Sequence, residues 1–215
     1  MVEKVLILIP CSKSKKPGGA HVYERANCIV NHLSQSAGRR LIELRRRVAV
    51  ALRETLGPDV GVETTETQIK FMRAYDRYSG NLYSKISKSA WEKMNRSQNL
   101  GLVIVSALYG ILKHNELIRN YNRAMDRDKV EGVLLKTWWN RQGLHEILLD
   151  YTADNEIKVV HDFLSKNYSE AIWPLQSRAE ELGIEYVKHG YSGFGSGSNC
   201  RRGEDVERLI KTFDI

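Results

Sequence analysis

"LVIVSALYGILK", Leu102 to Lys113, decides how the rest of the chain is read. Leu102 to Val105 are apolar and mostly β-branched, the composition of a strand covered on both faces. The run then stops on Ser106, and Tyr109 and Gly110 follow where the chain must turn. A buried strand ending on a polar residue fits a parallel α/β sheet, whose ligands sit outside the strands' carboxyl ends. The pattern recurs along the chain. "PCSKSKK" follows the strand expected at Lys4–Ile9, "HDFLSKNY" lies at the end of "IKVVHDFL", and "HGYSGFGSGSNCRRG" follows "IEYVKHG".

Helical patterns separate these runs. Leu41, Leu44, Val48 and Leu52 repeat at helical spacing, as do Val133, Leu134, Trp138, Leu144, Ile147 and Leu148. Gln68 to Asn95 carries helical patterning around "YSGNLYSKI", with Ser89 and Trp91 near the start of a second short helix, "YSEAIWPLQSRAEELG" is expected to be a helix bent at Pro174, and "EDVERLIKTF" to close the chain. Gly57-Pro58 ends the first helical region, and "GPDVGVETTETQ" reads as a polar connector. Strands alternating with helices predict an α/β fold with a mostly parallel or mixed central sheet covered by helices, one domain over residues 1–215.

The chain has 33 basic and 26 acidic side chains, a net charge of +7 and a pI near 9.3, which favours anionic partners. Cys11, Cys28 and Cys200 form no CxxC pair, the usage expected of a reducing, cytoplasmic setting. The apolar run Val5 to Ile9 is too short for a signal sequence or a membrane span. On the helix through Leu41 and Leu52, Arg39, Arg40, Arg45, Arg46 and Arg47 are expected on an outer basic face that could contact nucleic acid. The plainer alternative is a solvated face paired with neighbouring acids such as Glu43 and Glu54.

The loops carry the chemistry. In "PCSKSKKPGG", Ser12, Lys13 and Lys15 could hold an anion, and the lysines could favour a thiolate on Cys11. The GxxxxGK[ST] spacing of a Walker loop is absent. In the Gly/Ser loop before the last helix, Ser196, Arg201 and Arg202 suit phosphate, although a flexible linker has the same composition. The histidines show neither HExxH nor a Cys/His zinc spacing, so no metal and no cofactor is expected. His161 and Asp162, adjacent on a strand, point to opposite faces, so one of them is expected to be structural. Of Trp138 and Trp139, one is expected in the core and one at the surface.

"YSGNLYSKI" followed by "LGLVIVSALYGILKHNELIRNYNRAM" resembles the central signature of the YaaA family of peroxide-stress proteins. "LLKTWW", "IKVVHDFLSKNYSEAI", the opening "LILIPCSKSKK" and "CRRGEDVERLI" continue the likeness in order along the chain. The matched positions are Gly80, Tyr83, Ser106, Leu108, Tyr109, Gly110, Leu117, Ile118, Tyr121, Met125, Ser165 and Tyr168, with Arg202 and Gly203. Asn120, Asn122 and Ala124 depart from the family's proline, arginine and glutamate. The "CSKSK" loop is similar to that of small YaaA-like proteins associated with nucleobase modification. The resemblance implies a divergent, shorter, cytoplasmic member linked to hydrogen-peroxide resistance, with DNA binding.

Two functions follow as expectations. The first is a nucleic-acid-binding stress protein, supported by the charge and the arginine helix. The second is an enzyme acting on a nucleotide, nucleoside or modified nucleobase through a pocket at the strand carboxyl ends. Its catalytic candidates are Cys11, Ser106 and Tyr109. Its ligand candidates are Ser12, Lys13, Lys15, Gly80, Tyr83, Ser106, Tyr109, Gly110, Tyr121, Tyr168, Ser196, Arg201 and Arg202. Ser106, Tyr109, Tyr83 and the Cys11–Lys15 loop are expected to converge on one pocket.

Overall fold

A computed structural model describes residues 3–64 and 68–213, so residues 65–67 of the connector lie outside the described residues. The first strand, β1 (Val5–Pro10), is buried along its whole length, as an apolar run must be when both sheet faces are covered. The helix α1 (Gln35–Ala51) follows. Its N-cap Ser34 accepts from the Ala37 N–H, and the Ser34 N–H and hydroxyl both donate to Asp150, at 2.9 and 2.5 Å.

The segment expected to be helical from Gln68 to Asn95 is broken up. It holds β2 (Phe71–Arg73), α2 (Ala74–Arg77) and a 3₁₀ turn Tyr83–Lys85 before α3 (Lys88–Arg96), the second short helix expected near Ser89 and Trp91. The physical reason lies in the pairing. Phe71–Arg73 runs antiparallel to β5 (Leu117–Arg119), so a tertiary partner overrides the helical pattern. Ser87 caps α3 and donates through its N–H and hydroxyl to Glu207, which ties the cap to the last helix as Asp150 ties Ser34 to a later one.

The opening stretch forms a hairpin. Strand β3 (Leu100–Ser106) pairs antiparallel with β4 (Gly110–Lys113), with Ser106 opposite Gly110. Gly110 has φ +69°, and a Cβ there would stand 2.8 Å from the Trp139 ring, so both conformation and packing require glycine.

The short strands β6 (Lys129–Val130) and β7 (Val133–Leu134) precede α4 (Leu135–Arg141) and α5 (Leu144–Asp154), which are separated at Gln142-Gly143. Trp138 and Trp139 are both buried, which corrects the expectation of one surface residue. Helix α4 is covered on two sides: Trp139 donates to the Ala107 carbonyl in the hairpin turn at 3.0 Å, and the Arg47 guanidinium lies over Trp138.

After α5 come β8 (Val159–Asp162), α6 (Lys166–Ala171), α7 (Leu175–Glu181), β9 (Glu185–Lys188) and α8 (Ser198–Thr212). Pro174 separates two helices rather than bending one.

The central sheet has the order β4-β3-β1-β8-β9. All neighbours are parallel except β3 and β4, so the fold is α/β with a mixed sheet. The chain leaves the carboxyl end of β1 toward β3 and leaves that of β8 toward β9, in opposite directions across the sheet. The crevice between these two carboxyl ends is therefore the topological switch point, where ligands of open α/β sheets bind. Among the described residues no helix is long and apolar enough to cross a membrane.

Candidate functional site

Two residues mark the switch point. Cys11 follows β1, Tyr168 lies in α6 just after β8, and the Cys11 Sγ and Tyr168 hydroxyl are 3.2 Å apart. The Tyr83 hydroxyl donates to the Pro10 carbonyl at 3.0 Å, which holds its turn against the end of β1.

The Cys11–Gly19 loop is pinned from the side by a residue that sequence reasoning missed. Arg77 is buried and donates to the carbonyls of Lys16, Gly18 and Lys70 at 2.6, 3.0 and 2.9 Å. Residues 14–16 thereby line up with 77–79, through Ser79 N–H to the Ser14 carbonyl and Lys16 N–H to the Arg77 carbonyl. Ser12 packs so tightly on Gly80 that a Cβ at Gly80 would lie 2.3 Å from the Ser12 Oγ. Only glycine allows that approach.

Lys15 folds back over this floor. Its ammonium donates to the Ser12 carbonyl at 2.8 Å and stands 3.9 Å from the centre of the Tyr121 ring and 5.5 Å from that of Tyr78. Burial lowers its pKa, and nearby Cys11 opposes part of that shift. Beneath it the Ser106 and Tyr121 hydroxyls are 2.9 Å apart and those of Tyr121 and Tyr78 are 2.7 Å apart, a chain of three hydroxyls. Burial pushes the phenols of Tyr78, Tyr83 and Tyr121 well up, so all three are neutral near pH 7.

Tyr78 and Tyr83 also line a cleft of about 660 Å³ with Tyr75, Trp91, Lys16 and Arg73. Tyr75 stacks on Trp91 with ring centres 5.2 Å apart. Aromatic faces beside cationic side chains suit a flat, anionic ligand.

The structure thus brings together Cys11, Ser12, Lys15, Gly80, Tyr83, Ser106, Tyr121 and Tyr168. Tyr109 borders them, its N–H donating to Ser106 Oγ at 3.3 Å and its ring standing edge-on to Tyr121 with centres 5.6 Å apart, but its hydroxyl points away from the cluster. The Tyr109 hydroxyl donates to Asp59 at 2.6 Å in a buried knot that also holds Arg119, which pairs with the same carboxylate. Ser106 is fully buried, where the strand's solvent end was expected, because the hairpin carries the sheet past it and Tyr121 covers it. Tyr109→Phe is therefore expected to lower stability by about 1–3 kcal/mol, the cost of leaving a buried carboxylate short of a donor. Urea unfolding measures this, and no loss would remove Tyr109 from the knot.

The arginine helix is corrected in part. Arg45 is 0% exposed and pairs with Glu116, itself 1% exposed, at 2.7 Å. It also donates to the carbonyls of Tyr109 and Ile111. It points inward because its position lies beside Leu41, Leu44 and Val48 on the buried stripe, where Glu116 compensates its charge. Arg40 pairs with Glu146 and Arg47 with Glu131, whereas Arg39 and Arg46 are exposed.

In the Gly/Ser loop Ser196 is exposed, whereas Arg201 and Arg202, expected ahead of the last helix, lie within α8, where Arg201 reaches Glu204 and Asp205 at 3.8 and 3.5 Å and Arg202 turns inward. Lys13 is exposed. At the third carboxyl end, Asp162 accepts from the Leu164 N–H and the Tyr186 hydroxyl, a structural role, while His161 Nδ1 meets His189 Nε2 at 3.0 Å. Among the described residues no cluster of His, Cys, Asp or Glu is arranged to hold a metal ion.

Residues 5–194 match the family model described as peroxide stress protein YaaA. The chain belongs to that family. A UPF0246 protein from Francisella tularensis subsp. novicida is 25% identical over 115 residues, 52% of this chain and 44% of the relative. The chain thus spans less than half the length of the relative it matches. The YaaA match begins with β1 and takes in the switch-point cluster, and it ends at Phe194, before α8 and Arg202.

Proposed function

We propose that this YaaA-family chain binds a nucleotide-like anion in the cleft beside the β1 carboxyl end. The observation that carries the proposal is the lining of that cleft: the Tyr75–Trp91 stack and the buried Tyr78 and Tyr83 stand beside Lys16 and Arg73. Aromatic side chains supply faces for a base, and Lys16, Arg73 and the further lining residue Lys88 supply positive charge for a phosphate against the carboxylates of Asp76 and Glu92. Tyr78 joins this cleft to the buried Tyr121 and Ser106 hydroxyls, with the Lys15 amine over the Tyr121 ring, although none of these three residues lines the cleft. An enzyme acting on a nucleotide or nucleobase is the extension of the same site.

Binding of DNA along α1 is the second reading. It keeps the net charge of +7 and the exposed Arg39 and Arg46 in its favour, but Arg40 and Arg47 already have acidic partners and Arg45 is internal.

Calorimetric titration with adenosine 5′-monophosphate and with a single-stranded oligonucleotide separates the two. On the first reading the nucleotide binds, and Tyr75→Ala weakens it about tenfold, within the usual worth of one base–aromatic stack. Tyr75 is half-buried, so the variant keeps its core. Unchanged affinity in Tyr75→Ala would remove the cleft as the site. Oligonucleotide binding that weakens steeply with salt and is lost in Arg39→Ala/Arg46→Ala would favour α1 instead.

A further inference from the structure

A larger cavity lies elsewhere along the carboxyl edge, outside the Tyr75–Trp91 cleft. It encloses about 1020 Å³ at the ends of β8 and β9, between α6, α7 and the loop His189–Ser192. Neither Cys11, Lys15, Ser106 nor Tyr121 lines it.

Its floor contains Arg202, 8% exposed. The guanidinium lies on the Tyr191 ring, 4.7 Å from its centre, and Nη1 donates to Asn199 at 2.9 Å. Tyr191 is itself fixed, since its hydroxyl donates to Asp205 at 3.1 Å. The Arg202 Nε is buried and has no acceptor among the described residues. A buried guanidinium N–H without an acceptor is costly, and native structures seldom leave one.

The acids around the cavity do not answer it. Asp162 already accepts from Leu164 N–H and the Tyr186 hydroxyl, and Glu170 pairs with Lys136 at 2.6 Å. Glu180 takes a donor from Gln176. Lys166 and Lys188 add positive charge to the wall. Trp173 also lines the cavity and is nevertheless 69% exposed, a large aromatic surface with little to cover it.

We propose that this cavity is a binding site for a small aromatic oxyanion, a phosphate monoester or a carboxylate, with the oxyanion on the Arg202 Nε edge and the ring against Trp173. The planar guanidinium fork fits either oxyanion by two parallel hydrogen bonds. The site stands apart from the nucleotide cleft, and its test alters and observes no residue of that cleft.

The arginine Nε–H resonance in a ¹⁵N heteronuclear spectrum of the full chain reads the site directly, and Arg202→Lys identifies the Arg202 signal by its loss. Phenyl phosphate, benzoate, inorganic phosphate and phenol are the probes. Phenyl phosphate or benzoate is expected to shift the Arg202 Nε–H signal, while phenol leaves it in place. Whichever of the two anions binds more tightly assigns phosphate or carboxylate. Arg202→Lys is expected to bind the preferred probe about tenfold more weakly, because lysine keeps the charge and loses the fork. Lys188→Ala, at an exposed position, is expected to weaken it about threefold. An Arg202 signal unmoved by saturating phenyl phosphate and benzoate overturns the proposal, as does a shift by phenol equal to theirs. Equal affinity for inorganic and phenyl phosphate overturns the role of Trp173.

Discussion

Replacing Glu116 with alanine is expected to cost about 3–5 kcal/mol, because it leaves the Arg45 guanidinium charged, enclosed and without its counter-ion. Glu116 gathers several donors at one buried carboxylate. Oε1 accepts from Arg45 at 2.7 Å and from the Cys28 thiol at 3.3 Å, and Oε2 accepts from the Ile29 N–H at 2.9 Å and the Lys113 N–H at 3.3 Å. Arg45 in turn joins α1 to the Tyr109 and Ile111 carbonyls of the hairpin. Burial, and after it the same carboxylate, push the Cys28 thiol up to about 11, so it stays protonated and donates. A loss of this size is a large share of the whole stability of a domain, roughly 5–15 kcal/mol. Urea denaturation of Glu116→Ala, and of Arg45→Met/Glu116→Leu, provides the check. The double variant should recover most of the loss, since an apolar pair needs no compensation. A single variant within about 1 kcal/mol of the parent would mean that the carboxylate and guanidinium are not desolvated as described.

The second large effect is acid sensitivity centred on His114. Burial is the main cause of its pKa falling from 6.5 to about 3, and Lys113 and Arg73 lower it further. The ring lies against Tyr75 and Trp91, and Nε2 meets the Asn95 side-chain oxygen at 2.9 Å. The depressed folded pKa sets the sign. Between about pH 6.5 and pH 3 the unfolded chain binds a proton that the folded chain refuses, so stability falls as pH falls. At pH 5 the loss from this one group is roughly 2 kcal/mol relative to neutral pH. Burial also lowers the pKa values of His32, His145, His161 and His189, and each adds a slope of the same sign. Unfolding free energies at pH 7.5 and pH 5 should therefore differ more for the parent than for His114→Gln, which cannot take up the proton. Equal differences in the two proteins would show that His114 protonates freely in the folded state.

Much of the site was legible because parallel sheets enforce it. Apolar runs without alternation mark β1, β3 and β8, and their carboxyl ends carry polar residues, which is why Cys11, Ser12, Lys15, Ser106 and Tyr168 stand out as candidates there. Tyr83 and Tyr121 came from the family resemblance, since nothing in their spacing points to a β1 carbonyl or to Ser106. Arg77 was missed for a comparable reason. An arginine in an apparent helix looks solvated, and the carbonyls of Lys16, Gly18 and Lys70 that hold it belong to distant parts of the chain.

Local chemistry alone carried the alternation of strands and helices and the glycine turn after Ser106, because these depend on apolar periodicity and backbone freedom within a few residues, whereas the first helix ends at Ala51, ahead of the Gly57-Pro58 stop expected for it. Folding in three dimensions settled which way each polar side chain points. Arg45 and Arg46 are neighbours in sequence and equally basic, yet Arg45 meets Glu116 in the core and Arg46 meets water, since 100° of helical rotation separates them. Tyr109 and Tyr121 were equal candidates, and Asp59 draws one into a structural knot while Ser106 and Tyr78 hold the other at the floor of the site. Arg201 and Arg202 part in the same way, one toward Glu204 and Asp205, the other into a cavity that no local pattern announces. The deciding quantity in each pair is the partner available on burial, because a charge or hydroxyl removed from water goes where another element supplies its complement.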